Sequence, residues 1–370
     1  MSGYDIESRE PRLEQGYPVG VSPWRARYGQ AASPRAETDW PAAVAVDETG
    51  AVQLVTIDDI RAAAELIRPY IVRTPLVPAG WADDERPLWI KPENLQQIGA
   101  FKVRGAFNAI ANAIANLDES VRTRGVVAYS SGNHAQAVAY AAAVYGVPAH
   151  IVMPQETASV KVAATRGHGA EVVLCGAGER EKVAAEVMER TGGVLVPPFD
   201  HHDIIAGQGT IGLEIAEDLP AVDTVLIPVS GGGLASGIGT AIKALCPDAR
   251  VFGVEPELAA DTAEGLRLGH RVNWSIEDRN RTIADGLRSQ PSELTFAHLQ
   301  KVLDGVITVS ENEIRGAVRE LAYQAHLVAE PSGAVGLAAY RKGSTPPGRT
   351  VVILSGGNIE PPMLQEILAG

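Results

Sequence analysis

The chain has 370 residues, 45% of them hydrophobic, with 45 acidic against 32 basic side chains and a formal net charge of −13. That length buries a large core and predicts two lobes, while that charge disfavours nucleic acid or an anionic membrane surface as a partner. The opening residues MSGYDIESRE hold no apolar signal region, no later stretch is long enough to span a bilayer, and the two cysteines, Cys175 and Cys246, sit in apolar runs, so a cytoplasmic protein with free thiols is expected.

Residues 1–55 read as an N-terminal extension, rich in Pro, Gly, Arg and Glu with scattered aromatics such as Tyr17, Trp24, Tyr28 and Trp40. A folded region opens at Thr56-Ile57-Asp58-Asp59, which has the form of a capping box, with Ile60, Ala64, Ile67 and Ile71 following at helical spacing. Next comes Gly99-Ala100-Phe101-Lys102-Val103-Arg104-Gly105. A lysine packed by an aromatic and facing a low-dielectric pocket has its pKa pushed down, which forming an imine with a carbonyl cofactor requires.

Three further segments follow, each at the carboxyl end of an apolar run. Val126-Val127-Ala128-Tyr129 leads into Ser130-Ser131-Gly132-Asn133-His134 and a helical pattern over 135–145, where free N–H groups and two hydroxyls suit a carboxylate. Val225-Leu226-Ile227-Pro228-Val229 leads into Ser230-Gly231-Gly232-Gly233-Leu234, whose glycines at a helix start suit a phosphate. Val351-Val352-Ile353-Leu354 ends in Ser355-Gly356-Gly357-Asn358. Short Val/Ile-rich runs at 126–129, 149–153, 171–174, 194–196, 223–229, 250–255 and 350–354 alternate with helical patterns, which predicts α/β architecture with mostly parallel sheets. In such sheets ligands gather at strand carboxyl ends.

From about Thr56 onward, the order and wording of these motifs resemble the fold-type II pyridoxal-phosphate enzymes, specifically the threonine/serine dehydratase (ammonia-lyase) and serine racemase family. The matching segments also include Lys91-Pro92-Glu93-Asn94-Leu95-Gln96, Ile205-Ala206-Gly207-Gln208-Gly209-Thr210, Thr282-Ile283-Ala284-Asp285-Gly286 and Glu330-Pro331-Ser332-Gly333-Ala334. The resemblance implies a two-domain, tryptophan synthase β-like fold of mostly parallel twisted sheets flanked by helices. Residues 56–124 and 202–370 would form a large cofactor-binding domain and 125–201 a small one. The last motif lies about a dozen residues from the end, so no C-terminal regulatory domain of the kind some biosynthetic threonine dehydratases carry is expected. A homodimer or homotetramer is implied as well.

The same resemblance implies the roles. Lys102, beside Phe101, would hold pyridoxal 5′-phosphate as an imine and then remove the substrate α-proton. Asn133 would hydrogen-bond the phenolic oxygen. The main chain of Ser230, Gly231, Gly232, Gly233 and Leu234 would hold the phosphate, and Ser355 would face the ring nitrogen, where a hydroxyl moderates the electron sink. Ser130, Ser131, Gly132 and His134 would hold the substrate carboxylate, with Arg180 and Ser289 at further polar positions. Ser131, an alanine in many threonine dehydratases, would pair with Lys102 as a second base and allow racemisation beside elimination. Ala100 and Ser230 depart from the usual family wording.

In Gly253-Val254-Glu255-Pro256-Glu257-Leu258-Ala259-Ala260-Asp261, two carboxylates and a carbonyl suit a hard cation, and the resemblance assigns Mg²⁺ or Ca²⁺ to Glu255, the Ala259 carbonyl and Asp261. His201-His202-Asp203 is metal-like in composition only and receives no role. The expected reaction is dehydration of L-serine or L-threonine to a 2-oxo acid and ammonia, with 3-hydroxyaspartate dehydration or amino-acid racemisation as alternatives. Two remoter readings compete: a nicotinamide-dependent dehydrogenase, because the glycine loop follows a strand and Glu255 ends the next one, and a non-catalytic amino-acid-binding protein.

Overall fold

The computed structural model describes residues 52–116 and 121–370; the tryptophan-bearing part of the N-terminal extension lies outside them. The capping box forms as its spelling requires: the Thr56 hydroxyl accepts from Asp59 N–H, the Asp59 carboxylate accepts from Thr56 N–H, and the helix Ile57–Ile67 buries Ile60, Ala63 and Ile67.

Among the described residues ten strands follow in chain order: β1 Val77–Pro78, β2 Leu88–Pro92, β3 Val126–Tyr129, β4 Ala149–Pro154, β5 Glu171–Cys175, β6 Val194–Leu195, β7 Thr224–Pro228, β8 Arg250–Pro256, β9 Gly305–Val309 and β10 Thr350–Leu354. They form a six-stranded sheet in the order β1-β2-β10-β7-β8-β9 and a four-stranded sheet in the order β5-β4-β3-β6. Every pairing is parallel except β1 with β2. Helices cover both faces of such sheets, which is why β7 and β10 are buried at every position and spell continuous apolar runs.

Seven of the ten strands coincide with the expected runs. Of the other three, β1 and β2 lack the Val/Ile density that marks a strand, since β2 carries Lys91 and Pro92 and β1 has two residues, whereas β9 has it in Val306-Ile307-Thr308-Val309 and is not among the expected runs. The four-stranded sheet is drawn wholly from residues between 126 and 195.

Beneath the larger sheet the helices Lys102–Asn116, His202–Asp218 and Gly233–Leu245 pack together through glycine. A Cβ on Gly207 would lie 2.7 Å from the Arg104 carbonyl oxygen, and one on Gly237 would collide with the Ile205 carbonyl oxygen. Backbones this close leave no room for a side chain. The approach brings four ionised side chains together in the core. Arg104 donates to both oxygens of Glu93 at 2.8 Å and to Glu214 Oε1 at 2.7 Å, while Lys91 Nζ reaches Glu214 Oε2 at 2.5 Å and Thr74 O at 2.6 Å. Two cations and two carboxylates therefore close on one another, as buried charges must.

Candidate active site

The carboxyl ends of β3, β7 and β10 open into one cavity of about 380 Å³. Chain geometry brings Lys102 there. Gly99 takes φ +73°, Ala100 bridges to Gly356, and Phe101 N–H donates to Ser355 O at 3.0 Å, so the helix Lys102–Asn116 begins beside the end of β10. Lys102 Nζ lies 5.1 Å from the Phe101 ring centroid and donates to Pro198 O at 2.6 Å. No ion pair to it occurs among the described residues, and burial pushes its amine down to about 8. That is the state a nucleophilic lysine needs.

Across the cavity, Gly232 caps the helix Gly233–Leu245 with φ +89°, a left-handed conformation that favours glycine. A Cβ on Gly231 would run into the Phe199 ring, and one on Gly233 would lie 3.0 Å from Phe199 Cβ. The loop thus offers bare main chain at a helix start, a cradle for phosphate. Its departure residue has a structural use: Ser230 Oγ accepts from Ser289 N–H at 3.0 Å and donates to Ser289 O at 3.2 Å. The hydroxyl ties the loop to Ser289, and what Ser230 offers a phosphate is its main chain.

Residues 130–134 are placed as expected, with Gly132 capping the helix Asn133–Tyr145, but several of their donors are already engaged. Ser130 N–H donates to Val152 O at 3.1 Å and Gly132 N–H to Ser130 Oγ at 3.2 Å. The His134 ring is buried, pushed down to about 3 by desolvation with Lys102 adding to it, and its Nε2 lies 2.8 Å from Val196 O. A neutral imidazole has one N–H, and this geometry gives it to Val196. The His134 ring and the Gly132 N–H are thus engaged within the protein, while the hydroxyls of Ser130 and Ser131 and the main-chain N–H groups at the start of the helix, that of His134 among them, stay open to the cavity.

Leu234, Ser289, Ser355 and Arg180 also line the cavity. Ser355 is buried, whereas Arg180 opens the helix Arg180–Thr191 half-exposed, its Nε 3.7 Å from Glu181. The lining also holds polar residues that received no role from sequence, among them Glu330, Asn358, Lys161, Asp285 and Glu360. Lys161 spans the cavity mouth to Asp285 at 3.3 Å and Glu360 at 3.8 Å. The signal for Glu330 was its place in Glu-Pro-Ser-Gly-Ala, a helix cap followed by proline at the first turn.

The residues expected to hold a metal do not line this cavity. Glu255 and Asp261 are buried. Glu255 accepts from Thr262 N–H at 3.1 Å and Ala263 N–H at 2.8 Å; Asp261 Oδ2 has no partner. Burial, with Asp261 beside it, pushes the Glu255 carboxyl up to about 8, and burial pushes Asp261 up to about 6. A carboxylate oxygen orphaned beside a second acid fits a hard cation, although no group of three His, Cys, Asp or Glu side chains converges among the described residues. Glu255 is buried and does not line the cavity on which the glycine loop opens, which removes the support for the dehydrogenase reading. His201 caps the helix His202–Asp218, and His202 reaches Gln53 O.

Residues 67–356 match the family model described as pyridoxal-phosphate dependent enzyme. The chain belongs to that family. Its relatives include an L-threonine ammonia-lyase of Thermotoga maritima, 42% identical over 85% of this chain and 78% of that protein, and an L-threo-3-hydroxyaspartate ammonia-lyase of Saccharomyces cerevisiae, 38% identical over 85% and 97%. The structure of maize serine racemase superposes with a TM-score of 0.80 at 38% identity, covering 86% of this chain and 98% of that one. Fold-type II architecture and a pyridoxal-phosphate dependent enzyme are thereby established. No helix among the described residues is long and apolar enough to cross a membrane.

Proposed function

We propose that the enzyme eliminates water from L-serine or L-threonine, releasing the 2-oxo acid and ammonia. The observation that carries this is the burial of Lys102, without a carboxylate partner, in a cavity it shares with the Ser230–Gly233 cradle and the 130–134 segment. Bound pyridoxal phosphate supplies the electron sink that makes an α-proton removable.

The protein's part follows from its atoms. Lys102 Nζ, whose neutral form burial favours, carries the cofactor and accepts the α-proton. The main chain of 230–234 holds the phosphate, and Ser355 presents a hydroxyl to the ring nitrogen. Ser130, Ser131, Gly132 and His134 hold the substrate carboxylate, through the two hydroxyls and the main chain at the helix start, with Ser289 on the same wall. Ser131, as a second proton-bearing group, supports serine racemisation beside elimination. Arg180 in the wall favours a second carboxylate, so L-threo-3-hydroxyaspartate is the competing substrate. Glu255, the Ala259 carbonyl and Asp261 would hold Mg²⁺ or Ca²⁺ as a structural counter-charge outside the cavity. Segment 125–201 serves as the small domain against 56–124 and 202–370, in a cytoplasmic homo-oligomer.

The test incubates the enzyme with cofactor and Mg²⁺ and, separately, L-serine, L-threonine and L-threo-3-hydroxyaspartate, following keto acid, ammonia and substrate chirality. Keto acid from serine or threonine is expected. Product from hydroxyaspartate alone would move Arg180 to the centre of specificity, and no product from any would favour the binding-protein reading.

A further inference from the structure

Glu330 caps the helix Pro331–Lys342 at the cavity wall, its carboxylate buried. It ends a chain of side-chain amides whose direction is fixed from the other end. Asn358 Nδ2 donates to the main-chain oxygen of Ile98 at 2.8 Å and to Asn133 Oδ1 at 2.7 Å. A main-chain carbonyl only accepts, so the Asn358 amide cannot be reversed, and Asn133 must present its oxygen to it. Asn133 Nδ2 then donates one hydrogen to Glu330 Oε1 at 2.7 Å. An isolated asparagine has two nearly equivalent amide orientations; this one has a single orientation, with one N–H left over in the wall of the cavity.

The carboxylate also has reserved space. A Cβ on Gly356 would collide with Glu330 Oε1 and stand 3.1 Å from Asn133 Nδ2, so glycine at 356 is a condition of the arrangement.

Resting on the reading of Asn133 as the partner of the cofactor's phenolic oxygen, we propose that Glu330 is the positioning residue for that contact. It acts through Asn133 Nδ2, aiming the remaining amide N–H at the phenolic oxygen, and its own ionisation sets how much negative charge that oxygen carries. Burial, with Asp285 next in effect, pushes the Glu330 carboxyl up to about 7, against the opposing pull of Asn133, Lys161 and the Asn358 N–H. Lys161 is itself shared between Asp285 and Glu360. The group therefore changes charge in the neutral range. Above it, an ionised Glu330 stands one amide away from the phenolic oxygen and disfavours its anion.

The experiment reads the cofactor and not turnover. In the wild type, the long-wavelength absorbance of bound pyridoxal phosphate should fall as pH rises through the neutral range. Glu330→Gln, which keeps an oxygen for Asn133 but no charge, should hold that absorbance level, with cofactor affinity close to wild type. Glu330→Ala, which releases the amide, should weaken cofactor binding about tenfold and move the band at fixed pH. If Glu330→Ala does not fold, Asn358→Ala cuts the same chain at its far end and should move the band in the same direction. A Glu330→Gln enzyme with the wild-type pH profile, or alanine variants with wild-type band and affinity, would overturn the proposal. Failure of the wild type to bind cofactor at all would instead strike the functional reading beneath it.

Discussion

Two lysines eleven residues apart are both buried, and the difference between them separates architecture from chemistry. Lys91, on β2, meets Glu214 at 2.5 Å inside a network that also satisfies Glu93 and Arg104; Lys102, at the start of the next long helix, meets only a carbonyl oxygen and opens on the cavity. Burial lowers the pKa of both, but Glu214 opposes the shift at Lys91 and nothing opposes it at Lys102. A buried cation whose charge is balanced holds elements together. One left unbalanced gives up its proton readily and can react.

The largest way to break this contrast is Lys102→Ala, which should lower turnover at least about 10³-fold while leaving thermal unfolding near wild type. A Lys102→Ala enzyme that turns over would transfer the chemistry elsewhere. Arg104→Met should do the opposite. It leaves Glu93 and Glu214 short of a partner in the core and should cost about 3–5 kcal/mol of stability in urea unfolding. Lys91→Met should cost less, because Glu214 keeps Arg104. Equal losses for the two would mean that the four charges do not act as drawn.

The pair Glu255 and Asp261 extends the comparison to acids. Both are held above their ordinary values, so the stability each contributes is present at low pH and is lost as pH rises through about 6 for Asp261 and about 8 for Glu255. A cation bound at this pair would replace the missing protons. The rise in unfolding temperature on adding Mg²⁺ or Ca²⁺ after chelation should therefore be larger at pH 8.5 than at pH 6, and a pH-independent rise would place the ion elsewhere. The smallest effect belongs to Arg180→Ala. With its side chain 42% exposed, it should raise KM for a dicarboxylic substrate by roughly tenfold or less and leave serine unchanged.

What the sequence discloses divides along the same line. The 130–134 segment, the 230–234 loop and Ser355 follow strand ends directly, and Lys102 sits in a distinctive run between Phe101 and Arg104, so each could be placed by its neighbours in the chain. The balanced network could not. Lys91 and Glu214 are 123 residues apart, and Arg104 and Glu214 are 110 apart; nothing local to any of them marks a partner. The same holds for Glu330 and Asn133, 197 residues apart, and for the engagement of the His134 ring by Val196. Strands β1 and β2 have no Val/Ile-rich run of their own and owe their pairing to neighbours in the sheet, whereas β9 carries the legible run Val306-Ile307-Thr308-Val309.

The central claim is that Lys102, and not Lys91, carries the cofactor. Borohydride reduction of the cofactor-loaded enzyme followed by peptide mass mapping tests it directly. The account predicts one added cofactor mass, on the peptide containing Phe101-Lys102-Val103, and none on the peptide containing Lys91. Label on Lys91 or on another lysine, with Lys102 unmodified, would contradict it.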